Sequence, residues 1–75
     1  MHMDPIKTIN ACGLSCPQPA LLTRQALDSM AGGKVQVLVD SSTARDNVAR
    51  TAQKAGWQAS IQPKSDGSFQ ITLTK

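Results

Sequence analysis

Apolar and polar residues along the chain switch between a period of two and a helical period, and the switches mark out its elements. Residues 6–11 open with apolar and β-branched side chains suited to a strand, which Gly13 then breaks. From Pro17 to about Ala31, Ala20, Thr23, Ala26, Leu27, Met30 and Ala31 share one side of a helical wheel, whereas Arg24, Gln25 and Asp28 share the other. Gly32-Gly33 predicts the end of this helix. Residues 34–40 set Val35, Val37 and Val39 on one face, with Leu38 the one apolar residue opposite, and read as the clearest strand. Thr43 with Asp46 three places on resembles a capping box with a shorter acid, and Ala44, Val48, Thr51, Ala52 and Ala55 then form a stripe closed by Gly56. Residues 58–62 and 68–74 alternate around Ser65-Asp66-Gly67 and predict a terminal hairpin.

The order β-α-β-α-β-β, with right-handed crossovers, predicts a two-layer α/β (α+β) sandwich: a four-stranded mixed sheet with two helices on one face. Polar residues at alternate strand positions, Gln36, Ser60, Gln70 and Thr72, suit a second face that meets water. The 75 residues are read as one domain, residues 1–75, with residues 1–3 set aside from the fold reasoning as an expression remnant or a disordered start. A chain this short buries only about 60% of its unfolded surface. It can hardly enclose a deep pocket around its own core, so its chemistry is expected at the surface.

No apolar run approaches the roughly 20 residues of a membrane span, and the start lacks a secretory hydrophobic segment, so a cytoplasmic protein without membrane partners is expected. The net charge is +3, but the basic residues are scattered singly and the aromatics are Trp57 and Phe69 alone. That pattern argues against direct nucleic-acid binding and fits a mild attraction to acidic proteins. Two cysteines, Cys12 and Cys16, do not make a disulfide framework and are read as reduced thiols.

Cys16-Pro17 reads as an N-cap followed by a first helical turn, because proline suits the first position, where its missing N–H is no loss. Pro19 also lacks an N–H, which leaves Gln18 and Ala20 as the backbone donors best placed to face a sulfur anion. Those donors and the helix dipole favour thiolate, the nucleophilic form of cysteine. The competing reading is a small buried hydrophobe, a common fate of free cysteine. The one histidine, His2, lies in the leader, so no base is at hand for self-contained hydrolysis. Cys12, Cys16 and His2 supply at most three ligands at an unfamiliar spacing, which argues against a zinc site. No metal or cofactor is expected. A thiolate without base, metal or pocket is left with exchange of sulfur with a partner that already holds it in activated form, which describes a sulfurtransferase-like carrier.

Gly13-Leu14-Ser15-Cys16-Pro17-Gln18-Pro19 resembles the signature G-L-x-C-P-x-P of the TusA family of sulfur carriers, which includes SirA-like and YedF-like proteins. The resemblance extends through Ala20 to Leu27 and, with Asp40 and Arg45-Asp46, through Val37 to Ala52; it is strongest to YedF-like members. It implies the same sandwich and a persulfide on Cys16. It further implies relay from a donor such as a cysteine desulfurase to an acceptor, in tRNA thiolation, cofactor synthesis or selenium metabolism. YedF-like members often carry a second, DsrE-like domain. Asn10 departs from the aspartate usual in the family, and Cys12 falls where the family varies.

Three further groups are weighed. Cys12 is a candidate resolving thiol for Cys16, against a spare loop thiol. Leu21 and Arg24, on the exposed side of the first helix, are candidate docking residues, against an ordinary exposed leucine and a solvated cation. Arg45 and Asp46 suit an ordinary first turn, and Trp57 is expected to pack at the domain edge rather than stack on a base. Two alternatives to the carrier remain: a regulatory module that binds protein or nucleic acid with a structural Cys16, and a redox switch through Cys12 and Cys16.

Overall fold

The computed structural model describes residues 6–13, 18–30 and 32–75. Its elements are β1 (Ile6–Asn10), α1 (Gln18–Asp28), β2 (Lys34–Val39), α2 (Ser42–Lys54), β3 (Gln58–Pro63) and β4 (Phe69–Thr74). The strands form one sheet in the order β1-β2-β4-β3, parallel between β1 and β2 and antiparallel at the other two pairings. This is the two-layer α/β sandwich that the periodicities predict.

Register decides which residues make the core. Val35 pairs with Leu73, Val37 with Ile71 and Val39 with Phe69. Because side chains alternate across a strand, these residues share one face, where Val35, Val37, Val39, Ile71 and Leu73 are wholly buried under the helices. Each such side chain contributes about 1.5–3 kcal/mol relative to exposure. The opposite face carries Gln36 beside Thr72 and Leu38 beside Gln70, flanked by Ser60 and Gln62 on β3, all half-buried or exposed.

The two helices lie against one another and against the sheet. α1 buries Pro19, Thr23, Ala26 and Leu27, and the buried Thr23 hydroxyl donates to the Pro19 carbonyl at 2.8 Å. α2 buries Ala44, Val48, Ala49 and Ala52, short side chains that let its backbone approach its neighbours closely. Trp57 belongs to the same core at 3% exposure.

Several boundaries differ from the sequence reading. α1 ends at Asp28 rather than near Ala31, which itself lies outside the described residues. The Ser29 hydroxyl and N–H both donate to the Ala26 carbonyl, and the Met30 N–H turns to Leu27 at 3.1 Å, so the last turn tightens and stops. α2 is capped by Ser41, not Thr43: Ser41 is extended, at φ −142°, and its hydroxyl accepts the Ala44 N–H at 3.1 Å. The cap falls there because β2 stops at Val39, leaving Ser41 as the residue whose side chain faces the third helical amide. Asp46 instead accepts from Arg45 Nε at 3.0 Å, and the Arg45 guanidinium lies 4.8 Å from the centre of the Phe69 ring, so Arg45 is not simply solvated. The strand ends shift by one residue: β1 and β2 stop at Asn10 and Val39, and the hairpin strands run Gln58–Pro63 and Phe69–Thr74.

At the far end of α2, Gly56 takes φ +87° and its N–H donates to Gln53, while Trp57 donates to Ala52 at 2.9 Å. This paired closure is the Schellman motif, and the glycine is needed for its left-handed residue. In the hairpin the Asp66 carboxylate accepts from the Ser68 hydroxyl at 2.6 Å and the Ser68 N–H at 3.0 Å. Those bonds to Ser68 hold the Asp66 carboxyl below the usual aspartate range.

Candidate functional site

Because β1 and β2 are parallel, both strands end at the same edge of the sheet, and α1 and α2 both begin there. The carboxyl ends of parallel strands are where open α/β sheets usually present ligand-binding loops. Here both cysteines fall in sequence between β1 and α1, and residues 11–13 are the described start of that stretch.

The described start of that connection is held amide by amide. The Ala11 N–H donates to the Leu38 carbonyl at 2.8 Å, continuing the β1–β2 ladder one residue past the strand, and Ala11 itself is 1% exposed. The Cys12 N–H donates to the Asn10 side-chain oxygen at 3.1 Å. This is an Asx turn, which either asparagine or aspartate can make, so Asn10 keeps an acceptor where the family usually has a carboxylate. The Gly13 N–H donates to the Asp40 carboxylate at 2.9 Å, across 27 positions of sequence. Gly13 takes φ +80°, a left-handed conformation that other residues adopt only at a cost.

Leu14, Ser15, Cys16 and Pro17 lie outside the described residues, so the helix-start placement of Cys16 and Pro17 falls outside them too. Gln18 resumes the chain as the first residue of α1, exposed, followed by buried Pro19 and half-buried Ala20. No acidic residue occupies this first turn, so the helix brings no carboxylate of its own to the positive end of its dipole. Cys12 is an exposed, free thiol.

The outer face of α1 is apolar near its start. Leu21 is 55% and Leu22 39% exposed, and with Gln18 and Gln25 they line a shallow concavity of about 370 Å³. It continues towards Ile9 and Lys7 on the edge strand β1 through a second concavity of about 210 Å³. Arg24, one turn on from Leu21, forms an exposed ion pair with Asp28 at 3.1 Å. The structure therefore adds Leu22 to the exposed apolar surface; the sequence held that signal in the Leu21-Leu22 doublet, one residue of which had to face out.

Asp40 is a second residue that periodicity did not single out. Only the parallel pairing of β1 and β2 brings it beside Gly13, and nothing local in the sequence marks that meeting. Among the described residues no group of three His, Cys, Asp or Glu side chains could hold a metal ion, and no helix is long and apolar enough to cross a membrane.

Comparison with known proteins assigns this architecture. The family model "Sulfurtransferase TusA" matches residues 7–75. A candidate sulfur carrier protein of Methanocaldococcus jannaschii is 28% identical over 71 residues, which cover 93% of this chain and 95% of that protein. The crystal structure of a SirA-like protein from Desulfitobacterium hafniense superposes with a TM-score of 0.86 at 35% identity, covering 93% of this chain and 96% of the other. The strand order, the signature at residues 13–19 and a match over almost the whole length agree: the chain belongs to the TusA family of sulfur carriers.

Proposed function

We propose that the chain is a single carrier domain that accepts sulfur on Cys16 as a persulfide and passes it to an acceptor protein. The observation that carries this reading is that the Cys16 motif stands in sequence between a Gly13 braced by Asp40 and an acid-free first turn of α1. Amides at such a start favour an anion, and a thiolate or a persulfide is one.

In the loading step the Cys16 thiolate attacks the outer sulfur of a persulfide held by a donor cysteine, of the kind a cysteine desulfurase forms. A bond forms between the Cys16 sulfur and the transferred sulfur, and the donor's sulfur–sulfur bond breaks. The donor cysteine leaves as a thiolate with the electron pair, and the transferred sulfur keeps its proton. The reverse logic serves delivery, with an acceptor thiol attacking the same sulfur. No base within the chain is required, which suits a domain whose one histidine is His2.

Leu21 and Leu22 form the docking surface for donor and acceptor in this reading, and Arg24 contributes by exchanging its Asp28 partner for a partner's carboxylate. Cys12 is a bystander thiol. A reducing, cytoplasmic setting is the compartment in which both thiols stay free. Delivery to tRNA thiolation, cofactor synthesis or selenium metabolism depends on the acceptor.

Incubation with a cysteine desulfurase and cysteine tests the proposal. Wild-type protein is expected to gain the mass of one sulfur atom, removable by a thiol reductant, and Cys16→Ser to gain none. Equal loading of Cys16→Ser overturns it.

A further inference from the structure

Asp40 lies one residue beyond β2, on the exposed surface, yet its carboxylate is committed to the Gly13 N–H at 2.9 Å. That bond does not belong to the folding of α2, whose own start is closed by the Ser41 hydroxyl. Nor does it complete the sheet, whose ladder ends with the Ala11 N–H on the Leu38 carbonyl. Its effect is confined to the place where the chain leaves β1 for the cysteine segment.

The consequence follows from how that segment is tethered. Three consecutive amides, of Ala11, Cys12 and Gly13, are each engaged, by Leu38, Asn10 and Asp40 respectively. Of these, only the Asp40 bond reaches across from the neighbouring strand end by a side chain, and it grips the last described residue before Cys16. Nothing lies within 4 Å of the position a Cβ on Gly13 would take, so that side of the residue is open. Gly13 takes φ +80° at the residue whose N–H Asp40 accepts.

We propose that Asp40 is a positioning residue for sulfur transfer: by holding the Gly13 amide it fixes the direction in which the chain leaves Gly13, three residues before Cys16. This rests on the reading of Cys16 as the carrier thiol. The hydrogen-bond acceptor is what matters, not the negative charge. A carboxylate near a thiolate opposes its ionisation, so the role assigned to Asp40 is the bond it accepts from Gly13 and not its charge.

Asp40→Asn and Asp40→Ala separate these roles, because both remove the charge but only asparagine keeps a side-chain oxygen in place. The measurements are made in Cys12→Ser protein, which retains a single thiol, on variants confirmed as folded by their thermal transitions. The first readout is alkylation of Cys16 by iodoacetamide across pH, which requires no docking partner. Asp40→Ala is expected to react with a pH midpoint above that of Asp40→Asn. The second is loading by a saturating cysteine desulfurase, expected to slow on the order of fivefold in Asp40→Ala and to stay within about twofold of wild type in Asp40→Asn. Equal behaviour of the two variants in both assays overturns the proposal, as does an effect on donor affinity alone, which would make Asp40 a docking contact. If wild type itself takes up no sulfur, the carrier reading fails, while the alkylation profiles still decide whether Asp40 positions the thiol.

Discussion

The two strand-to-helix connections leave the same edge of the sheet and are built on different plans. From β2 to α2 the chain needs only residues 40–41, and Ser41 caps the helix from within. Beyond β1 the described residues 11–13 take the acceptors for their amides from strand ends, at Asn10, Leu38 and Asp40. The β2–α2 connection thus closes itself and lends Asp40 to the chain that leaves β1. One connection is closed by its own cap, whereas the described start of the other is braced by its neighbour.

Substitutions on the two connections are expected to separate stability from sulfur transfer. The largest combined effect belongs to Gly13→Ala, which forces a side chain into a left-handed conformation at a cost of about 1–2 kcal/mol. The melting temperature and the rate of sulfur loading should both fall, and unchanged loading would detach the Gly13 conformation from the chemistry. Ser41→Ala removes the cap of α2 and should cost about 1 kcal/mol by denaturant unfolding. Its sulfur loading at a temperature where it is folded should match wild type; a parallel loss would show that the two connections are not separable in function.

Smaller effects are expected away from the backbone. Leu21→Ala truncates an exposed side chain and should leave stability within about 0.5 kcal/mol. Loading from a protein donor should weaken while iodoacetamide alkylation of Cys16 holds, and a loss in both would place Leu21 in local structure rather than docking. The smallest is at the opposite end of the molecule. The Ser68 bonds depress the Asp66 carboxyl in the folded chain. Its stabilising contribution is therefore present at neutral pH and down to the ordinary aspartate range near pH ~4, and is lost as pH falls further through the folded value. An NMR titration of Asp66 should place its midpoint below that of an unfolded aspartate, with no change in sulfur loading for Asp66→Ala.

The sandwich was legible because each element carried its own period. The alternation of Val35, Val37 and Val39 and the stripe of Ala44, Val48 and Ala52 each oppose polar residues, and Gly56 stops α2 at the place read from sequence. Boundaries set by single hydrogen bonds were not legible. Ser29 ended α1 early and Ser41 displaced Thr43 as the cap, and both depend on where a hydroxyl happens to reach. The contact of Arg45 with Phe69 was not legible because it joins residues far apart in the chain. The bond from Asp40 to Gly13 was hidden for the same reason, since it exists only after β1 and β2 have paired. At the candidate site the motif residues could be named from sequence, but the bracing of the motif could not.

Locating the transferred atom gives the most direct test of the carrier role. Protein loaded by a cysteine desulfurase, with thiols blocked and the peptide spanning Cys12 and Cys16 fragmented in the mass spectrometer, should carry the extra sulfur on Cys16 with Cys12 bearing only the blocking group. Extra sulfur on Cys12, or a Cys12 to Cys16 disulfide in its place, would contradict it.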